Sequence, residues 1–312
     1  MTHPAIPSDS VVGQAAPVLS AKPVVLDGGD RGVDLHVKVS APAAGENLPV
    51  ILFSHGFGSS GEMYQPLVDF YAAHGFVVVQ PTYLDSRALG VDPHDPRAAQ
   101  FWRLRIEDAK RVLDNLDTVV GAIPGLAPRV DADRIGAVGH SFGGQTTALL
   151  LGLRVLAPAG HGQDLSDSRV KAGVLLATAG TGGDDLAPGI IDNLPWLNVS
   201  FDEMRTPALV VYGDHDQSVL TTRGPDWGAD AFHLSPAPKS LLRLSGIEHS
   251  LGGAVGYDSF ETTDNNPAAV AVLQRATTAY LRTQLGIDVS AWDRLVSELR
   301  DDANGLAFVE SK

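Results

Sequence analysis

Ser141, Asp216 and His249 follow one another along this chain in segments whose patterns suit nucleophilic chemistry. Gly139-His140-Ser141-Phe142-Gly143 has the form G-x-S-x-G. A buried-strand pattern over residues 134–138 precedes it, and an apolar helical pattern over residues 142–153 follows. On so sharp a strand-to-helix turn, a serine is lifted clear of the backbone with its oxygen facing the top of the sheet. Glycines on either side are needed where a Cβ would clash as the chain folds back. The helix that follows points its free N–H groups and its positive end at the same spot. The bland alternative is a turn serine that caps a helix N-terminus. Its partners decide against that.

A serine hydroxyl needs a base to take its proton, and the base needs a carboxylate to fix its tautomer and balance its charge. Residues 240–244 read as the last strand, and His249 stands in the loop Gly246-Ile247-Glu248-His249-Ser250-Leu251-Gly252-Gly253 after it. That position makes His249 the expected base. His3, His36, His74, His94, His161 and His233 lie in tails, early elements or polar loops and fit less well. For the acid, Val210-Val211-Tyr212-Gly213-Asp214-His215-Asp216 offers two residues past a strand end. Asp216 is preferred, because the chain can swing it back towards the histidine loop. Asp214 is expected to brace the turn by bonding nearby N–H groups. Asp184 and Asp185, after the preceding strand, stay in play. A metal reading of Asp214-His215-Asp216 carries little weight, since adjacent side chains point different ways. The charge that builds on a carbonyl oxygen under attack needs backbone donors, and losing one donor of this kind costs roughly 3 kcal/mol. The N–H of Phe142, next after the serine, is the first expected donor.

The elements that must hold these residues alternate. Strand patterns fall at residues 24–26, 33–39, 49–54, 76–80, 134–138, 171–177, 207–212 and 240–244. Helical patterns fall at residues 61–74, 98–120, 142–153, 267–285 and 291–300. Continuous apolar runs such as Pro49-Val50-Ile51-Leu52-Phe53-Ser54 suit strands buried on both faces. The order predicts an α/β fold with a mostly parallel central sheet of about eight strands and helices on both faces. No repeat or linker divides the chain, so a single domain over residues 22–312 is expected. Residues 1–21, rich in Pro, Ala and Ser, are expected to form a loosely ordered N-terminal strap.

Composition narrows the partners. Net charge is −14 with no basic run, which argues against nucleic acid and anionic membrane. With no cysteine, a disulfide, a thiolate nucleophile and a cysteine-ligated zinc are all excluded, and a reducing, cytoplasmic setting is expected. The N-terminus does not read as a signal peptide, and no apolar run is long enough to span a bilayer. No cofactor or metal is required by the chemistry outlined above.

The chain resembles the α/β-hydrolase superfamily from about residue 24 to 285. It looks most like the group of chlorophyllase-like, platelet-activating-factor acetylhydrolase-like and dienelactone-hydrolase-like esterases. The resemblance is carried by Phe53-Ser54-His55-Gly56-Phe57-Gly58, Ala73-His74-Gly75-Phe76-Val77-Val78-Val79-Gln80-Pro81, Gly139-His140-Ser141-Phe142-Gly143-Gly144, Gly213-Asp214-His215-Asp216 and Glu248-His249-Ser250. It implies the α/β-hydrolase fold and a serine esterase acting on a small-molecule ester through an acyl-enzyme. It also implies that the N–H of Phe57 is the second oxyanion donor, with His55 in a structural role. The cysteine nucleophile of dienelactone hydrolases proper is missing, and Ser141 fills the slot used by the aspartate of dehalogenases. Amide, thioester or lactone cleavage by the same residues, or a silent hydrolase fold that only binds ligand, are the rival expectations. Phe57, Phe142, Tyr64, Tyr83, Trp102, Trp196, Trp227 and Tyr257 are candidates to line an apolar pocket. The long connections at residues 84–100 and 178–206 are expected to shape specificity.

Overall fold

The computed structural model describes residues 11–92, 95–156, 162–256, 264–301 and 305–312. Its first half runs β1 (Val18–Leu26), β2 (Leu35–Pro42), β3 (Leu48–Ser54), α1 (Gln65–Ala73), β4 (Val77–Pro81), α2 (Phe101–Asp114), α3 (Leu116–Gly121), β5 (Val130–His140) and α4 (Phe142–Leu150). Next come β6 (Arg154–Val155), β7 (Val170–Leu176), α5 (Ile190–Asn193), β8 (Val199–Ser200), β9 (Ala208–Gly213) and α6 (Asp230–Leu234). The last elements are β10 (Lys239–Leu244), α7 (Pro267–Gln284), α8 (Ala291–Asp301) and β11 (Ala307–Ser311).

Nine strands form one sheet in the order β1-β2-β4-β3-β5-β7-β9-β10-β11. From β4 through β10 neighbouring strands are parallel, while β1, β2 and β11 join antiparallel at the two edges. Apolar runs account for the burial. Along β3, Val50 and Leu52 enter one core while Ile51 and Phe53 enter the other. The period-2 alternation thus feeds two buried faces rather than one. Helices α2, α3, α4 and α6 cover the first face, and α1, α7 and α8 cover the second. This is the mostly parallel, doubly covered α/β architecture that the strand pattern predicts. The segments after β3, β5, β9 and β10 all leave the carboxyl end of the parallel strands, where open α/β sheets hold their ligands. Among the described residues no helix is long and apolar enough to cross a membrane.

Three elements differ from expectation. The described part of the strap expected to be loose to residue 21 is packed: Val11 and Val12 are buried in the second core, and Val18–Leu26 is a strand. Its register shifts between Ala21 and Val24, around Pro23. A proline is tolerated at such an irregularity on an edge strand but hides the alternation in sequence. Residues 1–10 lie outside the described residues. The single helix expected over residues 98–120 is broken at Asn115, whose backbone leaves the helical region and whose side-chain amide donates to the Arg111 carbonyl at 2.8 Å. Finally, β10 is not the last strand, because β11 pairs along it from Ser240–Ser311 to Leu244–Ala307.

Candidate active site

Ser141 stands between β5 and α4 with φ 55° and ψ −120°. A non-glycine residue held there stores roughly 1–3 kcal/mol of strain, so the surroundings must enforce it. They do so with a hydrogen bond from the Ser141 N–H to the Leu176 carbonyl at 2.8 Å and with two glycines. A Cβ on Gly139 would come within 2.0 Å of the Gly143 oxygen, and one on Gly143 within 2.0 Å of the Ser54 oxygen. Only bare backbone lets the strand, the turn and the loop after β3 close on one another. Phe142 is the first residue of α4, so its N–H has no acceptor within the helix.

His249 Nδ1 lies 2.9 Å from Asp216 Oδ2. The turn after β9 and the loop after β10 are joined by the His215 N–H, which donates to the Ile247 carbonyl at 3.0 Å. The other candidate acids are engaged elsewhere or exposed. Asp214 accepts from the Gly246 N–H at 2.6 Å and from Ser245 at 3.2 Å, so it braces the turn as expected. Asp185 is bound by Thr181 and Arg223, and Asp184 is exposed. Ser141, His249 and Asp216 all line one cavity of about 310 Å³. His36, His74 and His233 are not among its lining residues; His3, His94 and His161 lie outside the described residues. Among the described residues no group of three or more His, Cys, Asp or Glu is arranged to hold a metal ion.

The cavity wall is apolar. Phe57, Phe142, Trp196 and Trp227 line it, and the Phe142 and Trp196 rings stack at 4.6 Å between centroids. Three other aromatic candidates do not. Tyr64 and Tyr83 are buried in hydrogen bonds elsewhere, and Trp102 packs against the first core; Tyr257 lies outside the described residues. Of the two long connections, residues 178–206 supply Trp196 with Leu194 and Leu197, whereas no described residue of 84–100 reaches the wall.

What that second connection supplies instead is Asp85. It receives a two-pronged grip from Arg105, Nε to Oδ1 at 2.8 Å and Nη2 to Oδ2 at 2.7 Å, and both side chains are buried. Burial would raise the Asp85 carboxyl, but the Arg105 charge and its hydrogen bonds outweigh that and hold it below the ordinary carboxylate range. Arg105 also donates to the main-chain oxygens of His55 at 2.7 Å and Gly56 at 3.2 Å. His55 itself is structural: its Nδ1–H donates to the Gly56 oxygen at 2.7 Å, and its Nε2 accepts from the Tyr83 N–H at 3.0 Å. Burial, helped by the Arg105 charge, pushes its pKa down to about 3, so the ring is neutral.

A second network crosses the elbow. His140 Nε2 lies 2.8 Å from the His249 carbonyl oxygen, which can only accept, so Nε2 carries the proton. Its Nδ1 then accepts from the Tyr64 hydroxyl at 3.0 Å, and the Tyr64 oxygen accepts from the Gly56 N–H at 2.9 Å. Burial, and then the His249 charge, push the His140 pKa down to about 3. Neither Arg105 nor His140 stood out in the sequence. For Arg105 a signal exists: in α2 it shares the buried face with Ile106, Ala109, Val112 and Leu113, where a charge needs a reason.

Residues 31–163 match the Chlorophyllase family model. The platelet-activating factor acetylhydrolase of Cavia porcellus is 21% identical over 310 residues, covering 83% of this chain and 63% of that protein. The Bos taurus platelet-activating factor acetylhydrolase is 22% identical over 300 residues, covering 81% and 61%. The candidate esterase NocK of Nocardia uniformis subsp. tsuyamanensis is 33% identical over 129 residues, covering 40% of this chain and 35% of that one. The chain therefore spans less than two thirds of the length of the acetylhydrolases it matches. With its nine-stranded sheet, it is an α/β-hydrolase-fold protein similar to the chlorophyllase-like and platelet-activating-factor acetylhydrolase-like group.

Proposed function

We propose that this protein is a serine hydrolase that cleaves carboxylic esters of small molecules through an acyl-enzyme intermediate. The observation that carries the reading is the His249–Asp216 pair, 2.9 Å apart, on the same cavity as Ser141. The relatives named as acetylhydrolases and as a candidate esterase support the ester class.

In this reading the Ser141 hydroxyl attacks the ester carbonyl while His249 Nε2 takes its proton. Asp216 accepts the Nδ1–H, fixes the tautomer and balances the imidazolium. The N–H groups of Phe57 and Phe142 donate to the oxyanion as it forms. Collapse of that tetrahedral species breaks the ester C–O bond, and His249 returns the proton to the leaving alcohol. Water, deprotonated by His249, then attacks the acyl-serine, and the acid leaves with Ser141 restored. The apolar wall around Trp196 and Trp227 receives the organic part of the substrate and keeps water off the charged species. No step calls for a group beyond these residues and water.

Turnover of p-nitrophenyl acetate and labelling by a fluorophosphonate probe test the reading. Both are expected in the native protein and both are expected to vanish in Ser141→Ala with its fold retained. Undiminished turnover in that variant would falsify the assignment, and absence of labelling in the native protein would favour a silent binding module.

A further inference from the structure

The peptide between Gly56 and Phe57 is held from behind. Its carbonyl oxygen receives the His55 Nδ1–H at 2.7 Å and Arg105 Nη2 at 3.2 Å. A trans peptide is planar, so its N–H points opposite its C=O. Fixing the Gly56 oxygen therefore fixes the direction of the Phe57 N–H. The next peptide is fixed too, because the Gly58 N–H donates to Asp85 Oδ2 at 3.1 Å. Asp85 Oδ2 is also the atom that Arg105 Nη2 grips at 2.7 Å. One buried ion pair thus pins the chain on both sides of Phe57. Four contacts, two to Asp85 and one each to the His55 and Gly56 oxygens, commit the guanidinium fork and leave its plane no freedom to turn. The same plane lies 4.2 Å from the centre of the Phe142 ring. One side chain therefore touches both the Phe142 ring and the peptide that carries the Phe57 N–H.

We propose that Arg105, locked by Asp85, is a positioning residue that aims the Phe57 N–H at the oxyanion. It acts through the Gly56 carbonyl and does not touch substrate. Two physical effects follow. The donor stands in place before charge develops, so no reorganisation is needed in the transition state. Hydrogen bonds accepted by the carbonyl also polarise the peptide and strengthen its N–H as a donor. Lysine cannot reproduce the effect, because a point charge cannot hold a carboxylate and two carbonyls in one plane. The inference rests on the serine-hydrolase reading above, since the oxyanion is that of the ester reaction.

The test uses Arg105→Lys and Arg105→Met with thermal melts, p-nitrophenyl acetate kinetics and inhibition by a trifluoromethyl ketone, which adds to the serine as a tetrahedral oxyanion. Loss of an aimed donor lowers kcat by roughly a hundredfold in Arg105→Met, with a smaller loss in Arg105→Lys. KM stays within about threefold, because the ground-state carbonyl relies less on the donor, and the ketone Ki rises by the factor that kcat/KM falls. A folded variant with native kcat and Ki, or one in which only KM changes, overturns the proposal. If neither variant folds, a crystal structure of the native enzyme phosphonylated on Ser141 decides. An Arg105–Gly56 contact with the Phe57 N–H on the phosphonyl oxygen supports it, and a flipped Gly56–Phe57 peptide overturns it. Failure of the serine-hydrolase reading is distinct: the native protein would then neither turn over the ester nor be labelled.

Discussion

His140 donates from its imidazole to the main-chain carbonyl of His249, 2.8 Å away. The residue before the elbow serine thus holds the backbone of the histidine loop. Through Tyr64 the same ring reaches the Gly56 N–H, so three loops from β3, β5 and β10 share one chain of hydrogen bonds. Tyr64→Phe cuts that chain at its centre with little change in shape. It leaves the Gly56 N–H and the His140 Nδ1 buried without this partner, at about 1–3 kcal/mol of stability. The expected result in urea unfolding is a lower midpoint with an unchanged m-value, accompanied by a roughly tenfold loss of kcat. Native stability in Tyr64→Phe would show that the chain of bonds is not cooperative.

Asp214 and Asp216 are two residues apart and face different tasks. Asp216 meets the imidazole of His249, and Asp214 meets the Gly246 N–H. Asp216→Asn keeps the shape but favours the wrong tautomer of His249, so kcat is expected to fall by roughly three to four powers of ten with KM little altered. Asp214→Asn weakens a turn instead, costing about 1 kcal/mol of stability and leaving kcat within a fewfold of native. Steady-state kinetics on the two purified variants separate them. The reverse ranking would move the acid to Asp214.

Much of the scaffold was legible because its signals are local. The apolar runs at β3, β4, β7 and β9 match strands to within a residue or two, and the elbow motif marks the β5-to-α4 junction. The residues that bind the loops together were not legible, because their meaning is set by contacts far apart in sequence. Asp85 sits in a connection that looked like a specificity loop, and its partner Arg105 lies on the buried face of α2. Tyr64 looked like a pocket aromatic, yet its hydroxyl serves His140, 76 positions away. The strand β11 is five residues after a helix, too short for its alternation to stand out, and its pairing with β10 supplies the order.

Acid should weaken the fold through its buried rings. His55 and His140 are both pushed down to about 3, while in the unfolded chain they take up protons near ~6.5. Their folded pKa values lie below the unfolded ones, so the stability they carry is complete above about 6.5 and is lost as pH falls towards 3. Asp108 opposes them: burial raises it to about 6, so the folded state gains a proton there that the unfolded state takes up only near ~4. Between about pH 6 and pH 5, above the range in which the ion-paired aspartates take up protons, these three groups leave about one extra proton on the unfolded chain, a slope of about 1.4 kcal/mol per pH unit. Denaturant titrations across that window should show this slope in the native protein and a nearly flat profile in His140→Gln. An equal slope in both would remove His140 as a source of the acid sensitivity.

In the proposed reaction Trp196, which lines the cavity beside Ser141, would limit the length of the acyl group. Its ring stacks on Phe142 at an interplanar angle of 25°, and its carbonyl accepts from Gln145 Nε2 at 3.1 Å, so the ring is fixed within the cavity wall. While an acyl chain still has wall to cover, each added methylene contributes about 0.8 kcal/mol, or about fourfold in kcat/KM. Once the chain meets a fixed ring, the gain stops and overpacking sets in. A series of p-nitrophenyl esters should therefore show a break in kcat/KM at one chain length in the native protein. In Trp196→Ala the removed ring opens space beside Phe142, so the break moves to longer chains and the acetate ester loses roughly three- to tenfold through lost apolar contact. A break at the same chain length in both proteins would mean that another residue closes the pocket, and Trp227, on the same wall, would be the next substitution to make.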